Sequence, residues 1–292
     1  NINSEYDLRL LNVDMVESIE ILKGASSTLY GSGAATGVIN ITLKKSSKSA
    51  ISGNAFFSLG TQNTSEDSKT QPQDFNQGFS VNGTIGKVSY LTSLSSTETK
   101  GFSEAFGEDY EDDIFSRVNV LQKIGFQASD KLSFDFFGNY DKINNTFDTS
   151  YAGPTVSNDD IYNNGSNEQF RIGFSPKYKY NKGELVLNAS AATIDREINL
   201  FSSWTSSVNN YSYASRTVNA DLFNKYSFSN QLFAIVGVQA QYFDMTQEDA
   251  YTNIERDGAK FNIVDPYATV VYNSNFGLNV NAGLRLNNHS EY

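Results

Sequence analysis

From residue 49 onward, apolar and polar residues take turns along the chain. Phe170, Ile172, Phe174, Pro176, Tyr178 and Tyr180 fall on one side of such a stretch, and Gln169, Arg171, Gly173, Ser175, Lys177 and Lys179 on the other. Phe276, Leu278, Val280, Ala282, Leu284 and Leu286 repeat the pattern near the end, and Phe75, Phe79, Val81 and Ile85 near the start. Period-two alternation predicts strands, here about twice the usual length. Short turns are predicted at Gly86-Lys87, Ser129-Asp130, Asn181-Lys182-Gly183, Ser229-Asn230 and Asn273-Ser274-Asn275, with spacings of 43, 52, 48 and 44 residues. Long polar segments separate them, near 97–114, 142–167, 195–213 and 244–261. Each repeat therefore reads as a long hairpin followed by a long loop. A propeller blade of similar period needs four short strands. A soluble sandwich has shorter strands and more frequent turns.

Long strands with short turns at one end and long loops at the other satisfy the demands of a bilayer. Every backbone polar group must be paired there, so strands span only as a closed barrel with an apolar outer face. Aromatic residues beside the short turns (Tyr90, Phe126, Tyr178, Tyr180, Tyr226, Phe228, Tyr272, Phe276) look like an interfacial girdle. The fold class expected is all-β: a transmembrane antiparallel β-barrel, partial, with about 11 of an expected 22 strands. Such barrels have even strand counts and no free edge in lipid, so a similar length of barrel is expected after Tyr292. Pro176 and Pro266 inside strands, and a strand at 231–243 that is apolar on both faces, predict bulges or contact with something packed in the lumen.

Composition narrows the chemistry. The 292 residues carry 22 Lys and Arg against 33 Asp and Glu, a net charge of −11 that argues against nucleic acid as a partner. No cysteine is present, which excludes disulfides, thiolate metal sites and cysteine nucleophiles. His289 is the one histidine, too few for a His-pair metal motif and poorly placed for a catalytic triad. No carboxylate pair has a context for acid–base catalysis, so the chain reads as no enzyme. The longest apolar run, Leu232 to Val238, is far shorter than the ~18–20 residues of a membrane helix. The opening residues Asn-Ile-Asn-Ser-Glu-Tyr lack the features of a signal peptide.

Residues 1–45 have a different texture. Val16 to Lys23 predicts a short helix end running into a strand, Gly24 to Gly37 is rich in glycine and small residues, and Thr36 to Leu43 reads as a strand. The run from Val16-Glu17-Ser18-Ile19-Glu20-Ile21-Leu22-Lys23-Gly24 through Leu29-Tyr30-Gly31 to Gly37-Val38-Ile39-Asn40-Ile41-Thr42 resembles the last part of the plug domain of TonB-dependent outer-membrane receptors. The tail Gly283 to Tyr292 is similar to mid-barrel strands of that family, especially its cobalamin and siderophore receptors. The resemblance implies two regions, the C-terminal part of a plug domain at 1–45 and the N-terminal part of a transmembrane β-barrel at 46–292. Glu17, Glu20, Lys23, Gly24, Tyr30, Gly31, Gly37 and Asn40 carry the plug motif. The basic residue before Gly24 resembles one that pairs with barrel carboxylates. Here it is Lys23, which lacks the two-pronged geometry of arginine.

What the resemblance further implies is import of a scarce, large nutrient across the bacterial outer membrane. The cargo would be a metal chelate such as a siderophore–iron complex, or cobalamin. Its energy would come from a TonB-type complex acting through a segment outside this sequence, and its lipid contacts from the outer membrane. Tyr30, Tyr110, Trp204 and Tyr211 are candidate ligand contacts; Trp204 could equally anchor at the membrane interface. Asp109, Glu111, Asp112 and Asp113 crowd one acidic loop with Glu104 and Glu108 and could collect calcium, although a solvated acidic loop explains them as well. No other cofactor is expected. Competing readings are a passive porin, a saccharide-type importer working with a surface lipoprotein, and an adhesion barrel.

Overall fold

The computed structural model describes residues 16–23, 37–61, 72–102, 112–150, 157–158, 161–202 and 204–290. Sixteen strands follow in chain order: β1 (Val16–Lys23), β2 (Gly37–Leu43), β3 (Ser52–Gly60), β4 (Asp74–Ile85), β5 (Val88–Phe102), β6 (Asp113–Gln127), β7 (Leu132–Thr146), β8 (Thr149–Ser150), β9 (Ser157–Asn158), β10 (Asn164–Tyr180), β11 (Gly183–Ser202), β12 (Ser207–Ser227), β13 (Leu232–Glu248), β14 (Asn253–Ile254), β15 (Lys260–Asn273) and β16 (Asn279–Arg285). One antiparallel sheet runs β3-β4-β5-β6-β7-β10-β11-β12-β13-β15-β16, with β14 pairing β13. Each long strand lies beside its sequence neighbour, so the expected count of about eleven long strands is met. The pairs β1–β2 and β8–β9 form separate two-stranded sheets.

All five predicted turns are present. Gly86-Lys87 joins β4 to β5 with Gly86 at a φ of 59°, a left-handed conformation that suits glycine in a two-residue hairpin. The long segments differ from expectation. β11 runs to Ser202 and β12 starts at Ser207, where a loop was predicted over 195–213. β13 likewise continues to Glu248. Beyond the membrane both faces of a strand are wet, so alternation vanishes while the backbone ladder persists. Asparagines reinforce it: the Asn199 amide donates to Asn164 and the Asn210 amide to Asn199, both at 2.9 Å. The helix end predicted at Val16 is also strand, because Ile19 and Ile21 pair in register with Ile41 and Ile39.

The two prolines are accommodated without a register shift. Pro176 stays in register with Phe134 of β7, and the ladder toward β11 skips from Phe174–Ala189 to Lys177–Val186 around the missing N–H. Pro266 pairs with Val238 of β13, just past the end of the β15–β16 ladder. The doubly apolar strand places Phe233 on the inner face, where the Lys225 ammonium lies 4.8 Å from its ring centroid.

The two faces of the sheet have opposite character. On the inner face, Leu43 at the end of β2 packs against buried Leu91 and Leu121, and polar residues are buried along the same face: Asn119 is 1% exposed, Asp141 0% and Asp265 2%. The outer face leaves Phe136, Phe170, Val218 and Val236 between 47% and 58% exposed. Water as the only solvent would favour the reverse. A charge-free outer stretch runs from the short turns upward, for example Phe170 to Tyr180 on β10. Its ten steps at a rise of about 3.3 Å and a tilt near 40° span roughly 25 Å, the height of a bilayer's hydrocarbon. Stacked rings mark its lower edge, with Phe126–Phe134 at 6.4 Å, Phe134–Phe174 at 6.1 Å and Tyr178–Tyr180 at 6.5 Å between centroids. A collar of ionisable residues marks the upper edge. Lys142, Glu168 and Asp195 are cross-strand neighbours on β7, β10 and β11, as are Arg216, Asp244 and Lys260 on β12, β13 and β15.

Candidate functional site

The segment that enters the inner face is built first from β1 and β2. Their close approach needs Gly37, since a Cβ there would sit 2.8 Å from the Leu22 carbonyl oxygen. Glu20 faces Asn40 in register, and the Asn40 amide donates to Glu20 Oε2 at 3.0 Å. The connector to β3 is fastened to the sheet. The Ser47 amide donates to Asn82 Oδ1 at 2.8 Å, Thr84 Oγ1 donates to the Ser47 carbonyl at 2.8 Å, and Lys123 Nζ donates to the Lys44 carbonyl at 3.2 Å. Glu17, Lys44 and Lys45 share a recess of about 270 Å³ with Asn82, Leu91 and Ser93. Lys23 ends β1, exposed, and makes no ion pair among the described residues. Gly24, Tyr30 and Gly31 lie outside the described residues, as do Asp109, Tyr110 and Glu111.

Two buried ionic clusters occupy the inner face. In the first, Asp141 accepts hydrogen bonds from the Asn119 amide at 2.6 Å, the Asn139 amide at 3.2 Å and Arg171 Nη2 at 3.4 Å. Arg171 Nε also donates to Asn139 Oδ1 at 3.0 Å. In the second, Arg285 donates to Asp265 from Nε at 2.9 Å and Nη2 at 2.8 Å, and to Gln239. Its guanidinium lies 5.5 Å from the Tyr267 ring, and the Tyr267 hydroxyl donates to Asp221 at 2.9 Å. Charges out of water hold only when paired and hydrogen-bonded like this. Cross-strand ties of this kind stiffen the wall facing the plug segment.

Above the second cluster, toward the long connections, stands an aromatic shelf. Phe243 and Phe261 stack at 4.7 Å, and Phe261 stacks on His289 at 4.7 Å. Tyr211 and Tyr213 lie on the same inner face of β12, farther along in the same direction. Flat rings beside a polar wall can grip a flat, polar ligand. Of the predicted ligand contacts, Tyr211 lies on this inner face, six residues along β12 from Thr217, the partner of Phe243. Trp204 is 93% exposed in the connection between β11 and β12. Asp113 begins β6 beside Asp112, and no cluster of three metal-ligating side chains exists among the described residues.

The ionic pairs escaped the sequence reading, but part of the signal was present. Arg216 and Asp244 are symmetric about the Ser229-Asn230 turn, and Asp265 and Arg285 nearly so about the last turn. Counting outward from each turn finds both. Asp141–Arg171 spans a long connection and offers no such count.

Comparison with known proteins agrees with this geometry. The family model described as TonB-dependent Receptor Plug Domain matches residues 1–38. A probable TonB-dependent siderophore receptor, PirA of Acinetobacter baumannii, is 33% identical over 81 residues, which is 28% of this chain and 10% of that protein. Among solved structures, the ferric enterobactin receptor PfeA of Pseudomonas aeruginosa superposes with a TM-score of 0.75 at 14% identity, over 98% of this chain and 46% of its own. The siderophore receptor PirA from A. baumannii gives 0.70 at 18%, over 98% and 45%. The ferripyoverdine receptor of P. aeruginosa gives 0.70 at 12%, over 94% and 42%. The chain thus spans a little under half the length of these solved receptors, and the shared architecture makes its long sheet part of a β-barrel. With the plug-domain match at its start and barrel strands after it, this chain resembles the end of the plug and the first part of the barrel of TonB-dependent receptors.

Proposed function

We propose that the protein imports an iron–siderophore complex across the bacterial outer membrane, with residues 1–45 in the plug and 46–292 in the barrel wall. The observation that carries this reading is the plug segment docked on a polar, ion-paired inner face while the outer face is apolar. A passive pore has no use for that segment. The relatives, named as siderophore, ferric enterobactin and ferripyoverdine receptors, direct the cargo toward siderophores rather than cobalamin.

Binding engages the aromatic shelf and the connections above it, and no covalent bond is made or broken. With the plug segment seated against the wall, as Leu43 is on Leu91 and Leu121, passage in this reading requires work from outside the barrel, supplied by a TonB-type complex. Uptake of radiolabelled ferric siderophores by a deletion strain complemented with the complete receptor tests this. Uptake is expected to restore growth under iron limitation and to stop when the energising complex is removed. Transport that persists without that complex would overturn the reading in favour of a passive channel.

A further inference from the structure

In the collar, one carboxylate is shared by two arginines. Asp244, on the outer face of β13 with its side chain 1% exposed, is gripped by two arginines. Arg216 of β12 donates from Nε at 3.0 and 3.1 Å and from Nη2 at 2.8 Å. Arg256, in the 3₁₀ turn Arg256–Gly258, donates from Nη1 at 2.5 Å. Two guanidinium charges on one carboxylate leave a net charge of +1. Both arginine side chains stay open to the outside, at 50% and 39% exposure. The other collar ion pairs, Lys142–Glu168 at 3.3 Å and Glu98–Lys100 at 2.9 Å, cancel one to one.

The height of the pair identifies its ligand. Directly beneath it are Val218 and Tyr242, the last members of the charge-free band on β12 and β13. On the flanking strands the outer-facing acids Asp195, Glu197 and Glu248 pair with Ala214 or Ser212, two and four residues past Arg216 on β12. The two arginines therefore sit at the level of lipid headgroups. Asp244 engages Arg216 through Nε and Nη2, which sets that guanidinium's plane, and Arg256 through Nη1; the nitrogens not turned to Asp244 are Arg216 Nη1 and Arg256 Nε and Nη2. A forked, pre-positioned guanidinium pair matches a phosphate better than lysine ammoniums do. We infer that Arg216 and Arg256, fixed by Asp244, bind the phosphate of an outer-leaflet lipid headgroup on the outside of the barrel. This rests on the membrane-spanning reading and adds a lipid site to it.

Native mass spectrometry of the complete receptor in detergent tests the site, with a doubly phosphorylated glycolipid (lipid A), its phosphatase-treated form and phosphatidylcholine as probes. The wild-type receptor is expected to retain one phosphorylated glycolipid that the R216Q/R256Q variant holds about tenfold less tightly or worse, the loss expected for charge-assisted hydrogen bonds. K142Q, which removes a one-to-one paired collar cation, should change little. In the wild type alone, removing the lipid's phosphates should have the same effect as the double variant, a comparison independent of how the variant folds. Equal retention of both lipid forms would overturn the proposal, as would displacement by millimolar inorganic phosphate, which would mark a free-anion site. Failure to retain any lipid, phosphatidylcholine included, would overturn the membrane reading and this site with it.

Discussion

Replacing Leu222 with arginine probes the outer face where it matters most. Leu222 lies on β12, 43% exposed, four residues from Tyr226 at the turn side and six from Arg216 in the collar. At about 2.5 Å of height per tilted residue, that places it roughly 10 Å and 15 Å from the two edges of the band. An arginine near the bilayer midplane of a barrel costs about 2–4 kcal/mol, and near an interface only about 0–1. Ala214→Arg, on the same strand and face but two residues beyond Arg216, is the matched control. Expected is a fall of roughly 30-fold to several hundredfold in the folded-to-unfolded ratio for Leu222→Arg. For Ala214→Arg the expected fall is at most about fivefold. The measurement is reversible urea unfolding of the complete receptor in phosphatidylcholine vesicles, followed by heat-modified mobility on gels. Equal costs at both positions, or no cost at Leu222, would refute the assignment of this face to lipid.

Leu43→Ala removes a plug side chain from buried Leu91 and Leu121. Expected is about 2 kcal/mol weaker docking, read as faster protease cleavage within residues 1–45 and greater sensitivity of cells to large antibiotics.

Much of the fold was legible because lipid on one side and a polar lumen on the other impose alternation. Strands β10 and β15 show it along most of their length, and all five short turns were readable from their Gly, Asn, Ser and Asp residues. The strand extensions past the collar were not legible. At Asn199, Ser202 and Asn210 both faces meet water, and a polar strand then looks like a loop. The start of β1 was ambiguous because Val16, Ile19 and Ile21 fit either period, and only pairing with β2 decides. The buried clusters depend on register across separate strands. Asp141 and Arg171 become partners only once β7 and β10 are aligned. The aromatic shelf was invisible for the same reason, since Phe243, Phe261 and His289 come from three points in the sequence.

The central claim is that one face of the sheet meets hydrocarbon and the other a filled lumen. The chain contains no cysteine, so single cysteines at successive positions from 169 to 180 can carry spin labels in the complete receptor reconstituted in vesicles. Collision with oxygen, which partitions into lipid, should peak at positions 170, 172, 174 and 178 and drop at each residue between them. A water-soluble nickel chelate should be excluded from those same four positions. Flat accessibility to both reagents, or a nickel maximum at the Phe170 series, would contradict the account.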